Sequence, residues 1–280
     1  MMWMPGCGHD EEEQEMSPDV VFIAVLILRM AITAAFVISA SIITERSGPA
    51  IGALVATLPI SAGPSYVFLA MDHDAAFIAQ GALASLPINA ATMFLGLTYI
   101  FLAQRNDVVV SLGAAVIVWL VIAYIVQLID WTLMAGIIVN VVTFAICLPL
   151  MARFRHAKMP LITRRWYDIP PRAALVATLV GAVVTLSATI GPTGSGMLAL
   201  YPIVFTSLML ILHPRIGGKP TAAVIANGGW GLMGFGIAVA LMQVTAVRLG
   251  SATALSIALA TCVAWNLGLW AWGRRRVRYV

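Results

Sequence analysis

Charge is scarce in this chain. Asp, Glu, Lys and Arg together make up 10% of its 280 residues, where a water-soluble domain carries about 25%. With 61% hydrophobic residues and a mean hydropathy of +0.97, the composition excludes a soluble globular domain and indicates a polytopic helical membrane protein. Cysteine is nearly absent too. Cys7, Cys147 and Cys262 are too few and too scattered for a disulfide framework or a metal site, and the two inside apolar runs read as small packing residues. The alternating strands of an outer-membrane barrel are missing, and the apolar runs are far longer than a barrel strand.

Catalytic signatures are missing as well. There is no Gly-x-Ser-x-Gly, no His-Glu-x-x-His, no intramembrane aspartate pair and no phosphate-binding Gly-x4-Gly-Lys-Ser/Thr. The sequence therefore points to no enzyme, no cofactor, no metal and no ATP hydrolysis by the chain itself. The net charge of +4 sits in short loops and the tail, where it sets topology, so no nucleic-acid partner is expected. Residues 1–18 lack the basic start of a signal peptide and carry Glu11-Glu12-Glu13-Gln14-Glu15; they read as an acidic disordered tail.

What is present is a repeated stretch. Gly48-Pro49, Ala56 and Pro59-Ile60 recur as Gly191-Pro192, Ala199 and Pro202-Ile203, 143 residues later, and Arg29 falls on Arg172 at the same offset. Each copy puts a proline halfway along an apolar run of about the 20 residues that a bilayer needs. A proline there removes a backbone donor and clashes with the preceding turn, so the helix kinks or breaks. At membrane depth the freed backbone groups must face protein or a cavity, and paired interrupted helices point to a transporter's central site. Close packing is the alternative reading, because glycine and proline are common in membrane helices.

Taken in order, the chain reads as nine spans: Asp19–Ile43, the first Gly-Pro stretch, Ala75–Ala103, two spans divided at Asp130-Trp131, Ala173–Ile190, the second Gly-Pro stretch, Thr221–Val247 and Leu249–Trp272. Residues 19–130 form a first membrane repeat and 131–151 a linker span. Residues 152–172 form a basic cytoplasmic loop, 173–272 a second repeat and 273–280 a basic tail. With the 152–172 loop inside, the basic turn at 213–220 and the arginine tail also fall inside. The Asp72-His73-Asp74 turn, read as solvated, and the acidic leader fall outside, as the positive-inside rule asks. The expected fold is all-α: about nine transmembrane helices as two inverted four-helix repeats joined by a linker helix, N-terminus outside and C-terminus cytoplasmic, in a bacterial-type inner membrane.

Several residues could carry chemistry. Arg29 lies inside the first span, where an arginine usually faces a cavity or a partner; it is either an anion-binding group or a side chain that reaches back to the interface. Around the prolines Pro59 and Pro202 stand Thr57, Ser61, Tyr66, Tyr201 and Thr206, able to bind a solute or to bond neighbouring helices. Asn89 follows Pro87, and Asn227 with Trp230 flanks a glycine-dense segment suited to packing or to recognition of a small organic molecule. In the basic loop, His156, Arg164, Arg165, Trp166 and Asp168 read as an anionic-lipid contact. These features point to a secondary transporter or permease for a small solute, an anion favoured, with a channel or a membrane subunit of a larger complex as alternatives. The expected partners are membrane lipids and a small-molecule or ion substrate, and a homodimer is allowed.

Overall fold

The computed structural model describes residues 18–46, 59–155 and 169–277. The acidic leader, Gly48-Pro49, Ala56 and Thr57, loop residues 156–168 and the last three residues lie outside the described residues. Within them the chain is helical with no strand: α1 (Pro18–Arg46), α2 (Ala62–Asp72), α3 (Ala75–Leu102), α4 (Val108–Gln127), α5 (Leu133–Ala152), α6 (Ile169–Ala199), α7 (Ile203–Ile216), α8 (Gly218–Leu249) and α9 (Ser251–Val277).

Seven of these helices are long and apolar enough to cross a membrane, which makes the chain an integral membrane protein. The exceptions are α2 and α7, with 11 and 14 residues. Both belong to the Gly-Pro stretches: α2 begins at Ala62, just after Pro59, and α7 begins just after Pro202. In the second stretch α6 bends at Gly191, whose φ of +65 and ψ of −174 only glycine adopts without strain. A half-helix follows to Ala199, the chain opens at Leu200-Tyr201-Pro202, and α7 begins at Ile203. This stretch is therefore two half-helices rather than one span.

The turns follow from local chemistry. Asp74 accepts from Phe77 N at 2.8 Å and Asp107 from Val110 N at 2.9 Å, capping α3 and α4. Before α8 and α9 the same places are held by Gly217 and Gly250, with φ of +86 and +84, so each pair of helices is joined through a single left-handed residue. The expected basic turn at 213–220 shrinks to Gly217 alone. His213–Ile216 ends α7, and Pro220 sits in the first turn of α8, where its missing N–H costs nothing. The division at Asp130-Trp131 holds, since α4 ends at Gln127 and α5 starts at Leu133.

Central in the bundle is α3, with 72% of its most apolar window buried against 11% for α1 and 17% for α4. It packs on α4, α5, α6 and α8. On α1, α4 and α9, large apolar side chains such as Phe22, Ile117 and Leu259 face outward, as a hydrocarbon solvent requires. Against α8 the packing is antiparallel: Gly96 lies against Ile225, Met93 against Gly229, and Asn89 meets Leu232. One end of the bundle gathers Phe101, Phe154, Ala103 and Gly218. The other gathers Asp72, His73 and Ser187.

Candidate functional site

Where α3 crosses α8, the two broken stretches converge on a cavity of about 450 Å³. Pro59 to Ala62, the start of α2, forms one wall and Leu200 to Pro202, the start of α7, forms another. Neither helix start carries a side-chain cap. Gly63 N donates to the backbone carbonyl of Pro59 at 2.8 Å and Ile203 N to that of Tyr201 at 2.7 Å, and each helix start still turns the positive end of its dipole to the same small space.

The polar floor is built by two asparagines. Asn140 Nδ2 donates to Leu86 O at 2.7 Å and to Gly136 O at 2.9 Å. Two carbonyl acceptors fix which end of that amide is nitrogen, so its oxygen is the acceptor that Asn89 Nδ2 reaches at 3.0 Å. Asn89 Nδ2 also donates to Leu232 O at 3.1 Å, which leaves Asn89 Oδ1 as a buried acceptor with no partner. In an apolar setting an unpaired acceptor is costly, and this one belongs to a residue of the cavity wall. Thr92, one turn further along α3, donates to Ile88 O and accepts from Trp119 Nε1. Trp119 in turn packs edge-on against Tyr201, with centroids 5.2 Å apart.

The half-helix before α7 is held from α3. Its carbonyl at Gly196 has lost its helical partner near the break and accepts from Ser85 Oγ at 2.9 Å. Ser85 therefore receives the proton of Tyr66 OH at 2.6 Å. The close approach needs glycine on both sides: a Cβ on Gly196 would stand 2.1 Å from Gly81 O.

Of the residues singled out by sequence, Pro59, Ser61, Asn89, Tyr201, Pro202 and Asn227 line this one cavity. Tyr66 is turned to Ser85 and the half-helix. Thr206 bonds back to Ile203 O on its own helix, and Trp230 lines a different cavity, between α5 and α8. Arg29 lies away from the cavity. Its guanidinium holds both carboxylate oxygens of Asp72, Nη2 to Oδ1 at 2.6 Å, and lies 5.5 Å from the Phe68 ring centre. The Asp72-His73-Asp74 turn is correspondingly more than solvated: His73 Nε2 is 2.8 Å from Ser187 Oγ and its ring stacks on Phe77.

Sequence reasoning passed over Gly81, Ser85 and Thr92. Together with Asn89 they recur at helical spacing, which marks one polar stripe on an otherwise apolar span. That stripe faces the half-helix and the cavity. Thr57 lies outside the described residues. No protein-family model, no curated protein and no solved structure matches the chain.

Proposed function

We propose that the chain is a secondary transporter or permease of a bacterial-type inner membrane, and that the cavity at the α3/α8 crossing is its solute site. The observation that carries this reading is the cavity lining. It contains five pairs of positions at the repeat offset: Pro59 with Pro202, Ser61 with Val204, Ala62 with Phe205, Asn89 with Leu232, and Thr92 with Phe235. A cavity whose opposite walls are corresponding positions of two copies is what an inverted-repeat transporter places at mid-membrane.

The proposed repeat has further support. Helices α3 and α8 start 143 residues apart, at Ala75 and Gly218, and so do α4 and α9, at Val108 and Ser251. α4 packs on α7 as α9 packs on α2, which is the exchange a two-fold axis would make. The antiparallel α3/α8 contacts centre on Asn89 and Leu232, themselves corresponding positions. α5 has no counterpart and serves as the linker. In this plan the Gly-Pro stretches supply the second and seventh of nine crossings, N-terminus outside and C-terminus cytoplasmic.

The solute class follows from the walls. Two uncapped helix starts favour an anionic group, each by about 0.3–1 kcal/mol and more where water is excluded. Asn89 Oδ1 supplies an acceptor for a hydroxyl or amino donor on the same molecule. Arg29, neutralised by Asp72, takes no part in binding and instead ties α1 to the α2/α3 turn. The test is the thermal stability of the purified protein across a panel of small carboxylates, phosphates, sulfate and neutral polyols, with Phe205→Trp as a cavity-filling variant. One anionic class is expected to raise the melting temperature of the wild type by mass action and to lose that effect in the variant. No stabilisation by any member of the panel would favour a membrane subunit that needs its partner.

A further inference from the structure

A second cavity is larger than the central one. It is an apolar groove of about 730 Å³ between α5 and α8. Leu133, Ile137, Val141 and Leu148 form one stripe along α5, and Trp230 and Val244 mark its two ends on α8. The 20 residues of α5 give a groove wall about 30 Å long, the depth of a bilayer's hydrocarbon core.

At one end stands Arg155, just beyond the last turn of α5. Its guanidinium carbon lies 5.7 Å from the centre of the Trp230 ring, and its Nε and Nη2 are buried with no hydrogen-bond partner. Burial pulls this guanidinium below its usual value, and no ion pair holds it among the described residues. The neighbouring Phe154 packs edge-on against Phe101, centroids 5.3 Å apart, which fixes the backbone from which Arg155 reaches back over the groove.

A bilayer-deep apolar groove with an unpaired cation at one end matches an amphiphile with a negative head. We propose that this groove binds one molecule of an anionic membrane lipid, with an acyl chain along α5 and α8 and the headgroup phosphate on Arg155. A second copy of the chain is a poorer occupant. A two-fold dimer about the membrane normal would bring two Arg155 guanidiniums to the same depth in a desolvated interface, without a counter-charge. A zwitterionic lipid is a weaker ligand, because its own cation competes with Arg155 for the phosphate.

The experiment is native mass spectrometry of the full chain after exchange into equal amounts of phosphatidylglycerol and phosphatidylcholine. The wild type is expected to retain one phosphatidylglycerol in about fivefold preference over phosphatidylcholine, the effect of one surface arginine on an anionic headgroup. Arg155→Ala should bring the two lipids to near parity, Arg155→Lys should keep most of the preference, and Arg105→Ala, at an exposed turn, should leave it unchanged. Ala145→Trp, which fills the groove, should lower retention of both lipids. If Arg155→Ala does not elute as a single species, Arg155→Gln decides in its place. Equal retention by the wild type, an unchanged preference in Arg155→Ala, or a disulfide dimer formed efficiently by Val141→Cys would each overturn the proposal.

Discussion

Asn89 and Leu232 stand 143 residues apart in the chain, yet the Asn89 amide donates to the Leu232 carbonyl across 3.1 Å. This bond joins the middles of the two most closely packed helices. It also draws Asn140 into the same network and leaves one acceptor of Asn89 unspent beside the central cavity. The helix-packing network and the proposed solute site thus meet at one side chain.

The first prediction concerns that network. Asn140→Leu removes three hydrogen bonds, two to carbonyls and one from Asn89. Bonds of this kind between membrane helices are worth about 0.6 kcal/mol each and at most about 1.7, so a loss of roughly 1–3 kcal/mol is expected. Detergent or urea titration of the purified variant measures it.

Gly196→Ala is the second. The new methyl would overlap the backbone of Gly81, which cannot move aside as a flexible side chain could. Overpacking of this sort costs about 1–3 kcal/mol. Gly63→Ala, where a Cβ meets nothing within 4 Å, is the matched control and should leave the melting temperature nearly unchanged.

The third tests Arg29 as a tie rather than a binding group. Asp72→Asn should destabilise, because it leaves the guanidinium, 14% exposed, without its counter-charge. The double variant Arg29→Leu with Asp72→Asn should recover part of the loss. Partial exposure of both side chains limits the coupling to about 1–2 kcal/mol, between surface and buried pairs. Solute binding should survive in the double variant.

A fourth follows from the half-helix anchor. Ser85→Ala leaves the Gly196 carbonyl and the Tyr66 hydroxyl without their shared partner. The half-helix should loosen, visible as faster amide hydrogen exchange over 192–200, with a smaller effect on α4 and α5.

How much of this was legible in the sequence differs from element to element. The interruption at Pro202 was legible, because proline's lost donor and its clash act within one turn. The break between α4 and α5 was legible from length alone. Pairings over long separations were not. Asp72 meets Arg29 across 43 positions and Gly196 meets Ser85 across 111, and no local periodicity encodes either. Trp230 and Asn227 are one turn apart, only about 60° from each other around the helix, yet they line different cavities, because the packing of neighbouring helices against α8 decides which side each takes. The turn before α8 was read too long because Pro220 was placed in the basic turn, where it in fact sits in the first turn of α8.

We propose that the helix starts after Pro59 and Pro202 bound one solute site that opens to both sides of the membrane. The most direct test is labelling of Val204→Cys, in a background with Cys7, Cys147 and Cys262 replaced, by a membrane-impermeant maleimide in proteoliposomes. Reaction is expected both with reagent added outside and with reagent trapped inside, on molecules of one orientation, with slowing of both by the stabilising anion. Reaction from one side only, unaffected by any solute, would contradict it.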